Sequence, residues 1–194
     1  MIFLALLQTT QIAYNAGSHL DALMSRLAVG DKDALAELYH ETRAAVYGFS
    51  LSITKNPADS EDVLQETYLK IWANAERYTA KGTPMSWILT IAKNLSLMKL
   101  REKKRHQDLE PEEWDMSFHI PDTAGNTEDR HLLEAALNIL TDEERHIILL
   151  HAVSGLKHRE IAELLDMALA TVLSKYHRAL KKLRKYIEGV EAND

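Results

Sequence analysis

The chain contains no cysteine among its 194 residues. It therefore has no disulfide bond, no thiol chemistry and no zinc site with a cysteine ligand, and it suits a reducing compartment. Long apolar runs are also missing, since no stretch approaches the roughly 18 residues that span a bilayer as a helix. The MIFLALL start has no cationic leader and is too short for a signal peptide. These absences predict a cytoplasmic protein without membrane insertion.

Charge is distributed unevenly along the chain. The formal net charge of -6 argues by itself against a nucleic-acid partner. However, residues 106–129 hold eight Asp or Glu and no Lys or Arg, whereas Lys175–Lys185 hold six cations and no anion. The excess acidity thus belongs to one central segment, and a basic surface that suits a polyanion remains near the C-terminus.

Residues 18–105 show the pattern of four helices. Apolar side chains recur at helical intervals from Leu20 onward, and Asn56 and Thr83 each precede a proline, as N-caps before a first-turn proline do. We expect one compact helical domain here. The preceding residues 1–17 are either a frayed tail or a short helix that docks on a partner.

Residues 106–129 lack helical periodicity, are interrupted by Pro111 and Pro121, and are strongly acidic. This composition predicts a linker. Its acidity either keeps it away from a polyanion or lets it compete for a basic groove.

Residues 130–194 are expected to form a second helical domain. Thr141 and Glu144 form a T-x-x-E capping box at a helix start. A short helix at Lys157–Leu165, a tight turn and a longer basic helix from Leu169 are typical of a helix-turn-helix. The sequence therefore predicts an all-α protein of two small helical domains joined by an acidic linker, the second ending in a helix-turn-helix.

The last helix has one apolar side and one polar, mostly basic side. Two interpretations are open: a solvated basic face, or a helix that reads a DNA groove with its N-terminal half while later cations neutralise phosphates. The short helix and turn ahead of it favour DNA. The polar positions are Ser174, Lys175, His177, Arg178, Lys181, Lys182 and Lys185.

A second group of residues suggests a pocket for one unstacked base. Taken alone, Trp87 is better explained by packing in the core than by stacking on a base. Together, however, Tyr78, Lys81, Trp87, Lys93 and Asn94 offer aromatic faces, cations and an amide that both donates and accepts hydrogen bonds. Such a pocket is able to hold open an already weakened duplex.

Catalysis and metal binding are not predicted. The carboxylates from Asp59 to Glu66 follow a helix start, where anions interact favourably with the helix dipole, and a partner-facing role explains them better than acid–base chemistry. No two of the nine histidines are three or four residues apart, the spacing that places a pair on one helical face. We expect no cofactor, and of the histidines only His177 is a functional candidate.

Three ordered motifs resemble the extracytoplasmic-function sigma factors, the smallest members of the sigma-70 family of bacterial transcription initiation factors. DSEDVLQETYLKIW, residues 59–72, is similar to region 2.2 of that family. GTPMSWILTIAKNLSLMKLREKKR, residues 82–105, resembles regions 2.3 and 2.4, and residues 140–187 resemble region 4. The resemblance covers most of the chain.

This resemblance implies a promoter-specificity factor without enzymatic activity. Its partners would be core RNA polymerase, promoter DNA and an inhibitory anti-sigma protein. The first domain would recognise and open the minus-10 element, and the second would recognise the minus-35 element and dock on the flap of a large polymerase subunit.

The resemblance also implies roles for individual residues. Asp62, Gln65 and Glu66 would face the clamp coiled coil of the largest polymerase subunit. The minus-10 contacts would be Tyr78, Lys81, Trp87, Lys93, Asn94, Lys99 and Arg101. The minus-35 contacts would be Thr171, Ser174, Lys175, His177, Arg178 and Lys181.

The chain departs from the family pattern in the helix-turn-helix. Asp166 stands where a glycine is common, and Leu173 replaces a lysine in the family's Gly-Thr-Val-Lys-Ser-Arg pattern. A leucine there either touches a thymine methyl group or packs within the protein.

Two other functions remain alternatives. A stand-alone helix-turn-helix regulator would leave the first domain unexplained. A helical adaptor would use both domains for protein contacts alone, with a solvated basic face on the last helix.

Overall fold

The computed structural model describes residues 19–79, 82–107 and 127–191, and all regular structure in these ranges is helical. The prediction of an all-α protein is confirmed. The elements are α1 (residues 19–28), α2 (Lys32–Thr54), α3 (Pro57–Asn74), a 3-10 turn (Ala75–Arg77), α4 (Pro84–Gln107), α5 (Thr127–Asn138), α6 (Asp142–Ala152), α7 (His158–Leu165) and α8 (Leu169–Glu191). Within these ranges, no helix combines the length and the apolar character needed to cross a bilayer.

The ends of the proposed linker differ from the expectation. α4 continues to Gln107 and α5 begins at Thr127, so both edges of the segment 106–129 are helical. The rest of that segment lies outside the described residues. The same holds for residues 1–17, for which a frayed tail and a docking helix were the two interpretations.

Side chains and turns start and stop the helices locally. The carboxylate of Asp31 accepts hydrogen bonds from the first-turn amides of α2, and Asn56 Oδ1 accepts one from the amide of Asp59 at 2.9 Å. The N-cap predicted at Asn56 is confirmed. Gly30 precedes α2 with φ 83°, a left-handed conformation that costs glycine little.

α2 is the central helix of the first four. It packs against α3 and α4, and the side chains of Leu38, Val46 and Phe49 are almost completely buried. The hydroxyls of Thr42 and Tyr68 share a hydrogen bond of 2.6 Å in this core. Burial raises the pKa of Tyr68 to about 12, so its hydroxyl stays neutral and able to donate.

The second group of helices is held by polar contacts at the α5–α6 junction. Thr141 and Glu144 form the predicted capping box. Arg145 is 4% exposed and donates hydrogen bonds to the carbonyls of Leu137 at 3.0 Å and Leu140 at 3.2 Å. Leu137 lies in the last turn of α5 and Leu140 just beyond it, so the guanidinium adds donors to the carbonyls at the C-terminal end of this helix.

α7, a tight turn and α8 form the predicted helix-turn-helix. Asp166 ends α7 with φ 55°, and the amide of Met167 donates to the carbonyl of Ala162 at 2.9 Å. A left-handed residue is required at this point, and Asp is among the few non-glycine residues that adopt this conformation readily. The departure from glycine at Asp166 is therefore compatible with the turn.

The two groups of helices share one core. α6 lies against α2, and α7 lies against α4. Lys55 Nζ is 2.8 Å from Asp142 Oδ1, and His146 Nε2 is 3.2 Å from the carbonyl oxygen of Ser52. Beside these contacts, the buried side chains of Leu51, Leu137, Leu140, Ile148 and Ala179 form one apolar cluster. The division into domains at 18–105 and 130–194 stays a prediction, because the packing is continuous between them.

We expect acidification to destabilise the fold through His146. Burial lowers the pKa of His146, and among its charged neighbours Arg145 and Lys55 act in the same direction while Asp142 opposes them. The unfolded chain binds the proton at a pKa of about 6.5. Stability is therefore full above that pH and is lost as the pH falls toward the lowered pKa of the folded state. His146→Gln, which keeps a donor for Ser52, should reduce the fall in thermal midpoint between about pH 7.5 and 5.5.

The control is His19→Gln, because the side chain of His19 is 49% exposed. Burial also lowers the pKa of His158. Both variants therefore keep part of the dependence of the thermal midpoint on pH. If both variants lost stability with pH as the wild type does, the role of His146 would be refuted.

Candidate nucleic-acid interface

Tyr78 and Trp87 form an aromatic pair at the start of α4. Their ring centroids are 5.0 Å apart at an interplanar angle of 57°, and both rings are partly buried against the core. The Tyr78 hydroxyl is buried and makes no hydrogen bond within the described part of the chain, and burial raises its pKa. Gly82, with φ 106°, turns the chain between the two rings. The structure thus brings together two of the predicted base-pocket residues.

The other predicted pocket residues are placed differently. Asn94 is exposed on α4. Lys93 is partly buried, and its ammonium donates to the carbonyl of Leu164 at 2.6 Å, in the last turn of α7. Lys81 lies outside the described residues. Asn94 is therefore free to meet a base, whereas Lys93 is engaged by the helix-turn-helix.

The acidic start of α3 and the basic end of α4 contact each other. Lys99 Nζ is 2.7 Å from Asp62 Oδ2, and Lys103 Nζ is 3.5 Å from Asp59 Oδ2. The hydrogen bond to Asp62 raises the pKa of Lys99. Asp62, a predicted polymerase contact, is thus ion-paired with Lys99, a predicted minus-10 contact. Arg101, another predicted minus-10 contact, is exposed.

α3 carries an exposed mixed surface on the turns after Asp62. Gln65 is exposed, and Glu66 pairs with Lys70 at 3.5 Å on the same helix. Leu69 is 69% exposed and Trp72 is 36% exposed. Trp72 directly follows Ile71, which is fully buried, so its ring lies beside the core-facing stripe of α3 and reaches the surface.

The outer face of α8 carries most of the predicted minus-35 residues. The exposed side chains there are Thr171, Ser174, His177, Arg178 and Lys181. On the inner face Val172 and Ala179 are fully buried, which fixes the orientation of the helix.

Two cations of α8 are paired with acidic residues at the start of α6. Lys175 forms an ion pair with Glu143, and Lys182 Nζ is 2.6 Å from Glu144 Oε2. Burial acts to raise the pKa of Glu144, but the hydrogen bonds from Lys182 and Thr141 lower it overall. Lys175, predicted to contact DNA, is 20% exposed at its side chain and so lies at the edge of the outer face.

The rings of His151, His158 and Tyr176 pack together where α6, α7 and α8 meet. His158 lies 4.5 Å from His151 and 4.6 Å from Tyr176, measured between ring centroids. Burial and the neighbouring histidines lower the pKa of His158. Sequence reasoning missed this cluster, because it sought histidines three or four residues apart on one helix. Among the described residues no group of three or more His, Asp or Glu is arranged to hold a metal ion.

A chain whose regular structure, in the described ranges, is all helical and includes a helix-turn-helix with an exposed basic face has the architecture of a DNA-binding transcription protein. Family models match at both ends: Sigma-70 region 2 over residues 38–106 and Sigma-70, region 4 over residues 130–183.

Curated relatives agree with these models. The ECF RNA polymerase sigma factor SigK of Mycolicibacterium vanbaalenii is 32% identical over 174 residues, covering 87% of this chain and 89% of the relative. SigK of Mycobacterium tuberculosis strain H37Rv is 32% identical over 181 residues, covering 88% and 95%. The chain therefore belongs to the extracytoplasmic-function group of the sigma-70 family, the RNA polymerase sigma factors, as the motifs predicted.

Solved structures share the fold. The sigma factor RpoE of Bartonella quintana, in complex with the anti-sigma factor NepR, matches with a TM-score of 0.66 at 25% identity, covering 81% of this chain and 98% of that chain. CnrH, in complex with the cytosolic domain of CnrY, matches with a TM-score of 0.59 at 19% identity, covering 87% and 96%. The second likeness concerns the fold alone.

Proposed function

We propose that this sigma factor directs core RNA polymerase to specific promoters, with residues 18–105 recognising and opening the minus-10 element and residues 130–194 recognising the minus-35 element. The observation that carries the proposal is the presence of both sigma-70 regions in one chain, the second with an exposed basic helix. Sigma factors initiate transcription by binding DNA, and the polymerase carries out RNA synthesis. A stand-alone regulator or an adaptor would not need both regions.

The basic face of α8 supports minus-35 recognition. Thr171 and Ser174 lie in the first turns, where the second helix of a helix-turn-helix meets base edges. Arg178 and Lys181 follow on the same exposed surface, where they neutralise phosphates. Lys175, held by Glu143, contributes less because its ion pair must first be exchanged.

We expect Arg178→Ala to weaken minus-35 promoter binding by about tenfold while sparing binding to core polymerase. Lys175→Ala is the matched control and should have a smaller effect, because its partner Glu143 already neutralises it. Holoenzyme titrations on a labelled promoter at several salt concentrations measure both variants. Unchanged promoter affinity in Arg178→Ala would refute the assignment.

The aromatic pair and Asn94 support capture of a minus-10 base. Tyr78 and Trp87 offer ring faces beside each other, and stacking on such rings compensates the stacking that an extruded base loses. The exposed amide of Asn94 adds both a donor and an acceptor for the edge of the base. Lys81, Lys93, Lys99 and Arg101 complete the proposed minus-10 set.

Asn94→Ala should reduce open-complex formation by about fivefold and leave polymerase binding close to wild type, because a hydrogen bond to the base is lost. Permanganate reactivity of unpaired thymines reports opening, and co-purification with core polymerase reports binding. The control is Asn74→Ala, since the Asn74 amide donates to Lys70 of its own helix at 2.8 Å. Equal loss of opening and binding in Asn94→Ala would argue against the pocket.

The exposed surface of α3 supports docking on polymerase. Asp62, Gln65 and Glu66 are followed on successive turns by Leu69 and Trp72. Exposed aromatic side chains such as Trp72 are typical of a protein contact, and the polar residues suit its rim. An anti-sigma protein is proposed as a further partner, because the Bartonella relative is solved in complex with one.

We propose further that the closed packing of α6 and α7 on the first four helices opens before promoter binding. Lys93 must leave the carbonyl of Leu164 to reach DNA. The Lys55–Asp142 ion pair, in which the lysine side chain is 11% exposed and the carboxylate is 54% exposed, must separate as well. Opening is therefore resisted both by this pair and by the apolar contacts.

The absence of cysteine allows a direct test of opening. Lys55→Cys and Asp142→Cys, joined by a short reducible bis-maleimide linker, should abolish promoter-specific run-off transcription, and reduction should restore it. The matched control is the pair Arg26→Cys and Glu37→Cys, which replaces a 3.0 Å contact within the first four helices and should stay active when linked. Full activity of the linked Lys55–Asp142 pair would show that opening is not required.

A further inference from the structure

The first two turns of α8 present an apolar surface. Leu169 is 42% exposed and Leu173, one turn later, is 37% exposed. Ala170 between them is also exposed. A basic helix therefore begins with a small apolar patch, and its exposed cations follow one turn later, from Arg178 onward.

The neighbours of Leu173 show which side of the helix it occupies. Val172, the preceding residue, is fully buried, and so is Ala179. Successive residues in an α-helix are rotated by about 100°, so Leu173 lies beside the buried stripe rather than in it. With 37% of its surface exposed, Leu173 is not part of the core, which favours contact with a thymine methyl group over packing within the protein.

The groups that accompany Leu173 limit what it is able to recognise. Ser174 and Thr171 supply hydroxyls, and the cation nearest in sequence, Lys175, is engaged by Glu143. The side chain of Leu173 itself has no donor for the two acceptors of a guanine edge, so a guanine directly opposite it would lose water without a hydrogen bond from this residue. The apolar group that the major groove offers is the C5 methyl of thymine.

We propose that Leu173 is a specificity-determining residue of this sigma factor, which selects thymine in the minus-35 element by contact with its C5 methyl group. The proposal rests on the function proposed above, since it requires α8 to lie in the major groove. Leu169 and Ala170 extend the same apolar surface toward the neighbouring base pair. The contact removes exposed apolar surface of both partners from water, which is favourable.

The experiment removes the methyl group without changing base pairing. Promoters are first selected from a library randomised over the minus-35 element, with holoenzyme formed from this chain and core polymerase. Each selected thymine is then replaced singly by deoxyuridine. Wild-type holoenzyme should bind about fourfold more weakly at one of these positions, as expected for burial of a single methyl group. Replacement of thymines outside both promoter elements should have no effect.

Substitutions then assign the response to a residue. Leu173→Ala should bind the thymine and deoxyuridine promoters equally at that position, so that the two changes are not additive. Val153→Ala is the matched control, because Val153 is 52% exposed but lies outside α8, and it should keep the wild-type response. Leu173→Lys should shift the selected base from thymine to guanine, whose O6 and N7 accept from a lysine.

The outcomes separate this inference from the proposed function. Absence of promoter-specific initiation by wild-type holoenzyme would overturn the proposed function, and the inference with it. Normal initiation with no response to deoxyuridine at any minus-35 thymine would overturn the inference alone. A deoxyuridine response that persists in Leu173→Ala would also overturn it, since another residue would then read the methyl group.

Discussion

The packing of α2 against α6 is the contact on which the arrangement of the molecule depends. α2 supplies the core of the first four helices with one side and meets α6 with the other. At that contact the ring of His146 stands edge-on to Phe49 with centroids 5.7 Å apart. The same ring contacts the carbonyl oxygen of Ser52, and the Lys55–Asp142 pair joins the ends of the two helices, so the junction combines apolar packing with polar contacts. α7 lies separately against α4, where Lys93 donates to the carbonyl of Leu164.

Opposite charges are paired within the chain on both proposed DNA-binding surfaces. Asp62 pairs with Lys99 on one surface, and Glu143 pairs with Lys175 on the other. The Lys99–Asp62 pair is partly exposed and contributes little to stability, so a phosphate is able to displace the carboxylate of Asp62 at small cost. The carboxylate released from Lys99 then lies on the face proposed for polymerase. In the proposed function, DNA binding and polymerase binding would therefore use two halves of the same ion pair.

Local features of the fold were predictable from the sequence, whereas contacts between distant residues were not. The capping box at Thr141 and the N-cap at Asn56 depend on side chains within three residues of the amides that they bind. The contact of Lys93 with Leu164 joins residues 71 positions apart, and no pattern near either residue indicates it. Ordered motifs identified the family and the exposed residues of α8. They did not indicate that Lys93 and Lys175 already have partners, because pairing depends on how helices pack.

The left-handed residue in the turn before α8 affects how the recognition helix is presented. Asp166 has φ 55°, a conformation that an Asp adopts at some cost but from a smaller set of unfolded conformations than glycine has. Forming this turn therefore costs the chain less backbone entropy than forming a glycine turn would, which offsets part of the strain at φ 55°. The angle between α7 and α8 is thus set during folding, and in the proposed function no ordering cost of this turn is subtracted from the contact energy with DNA.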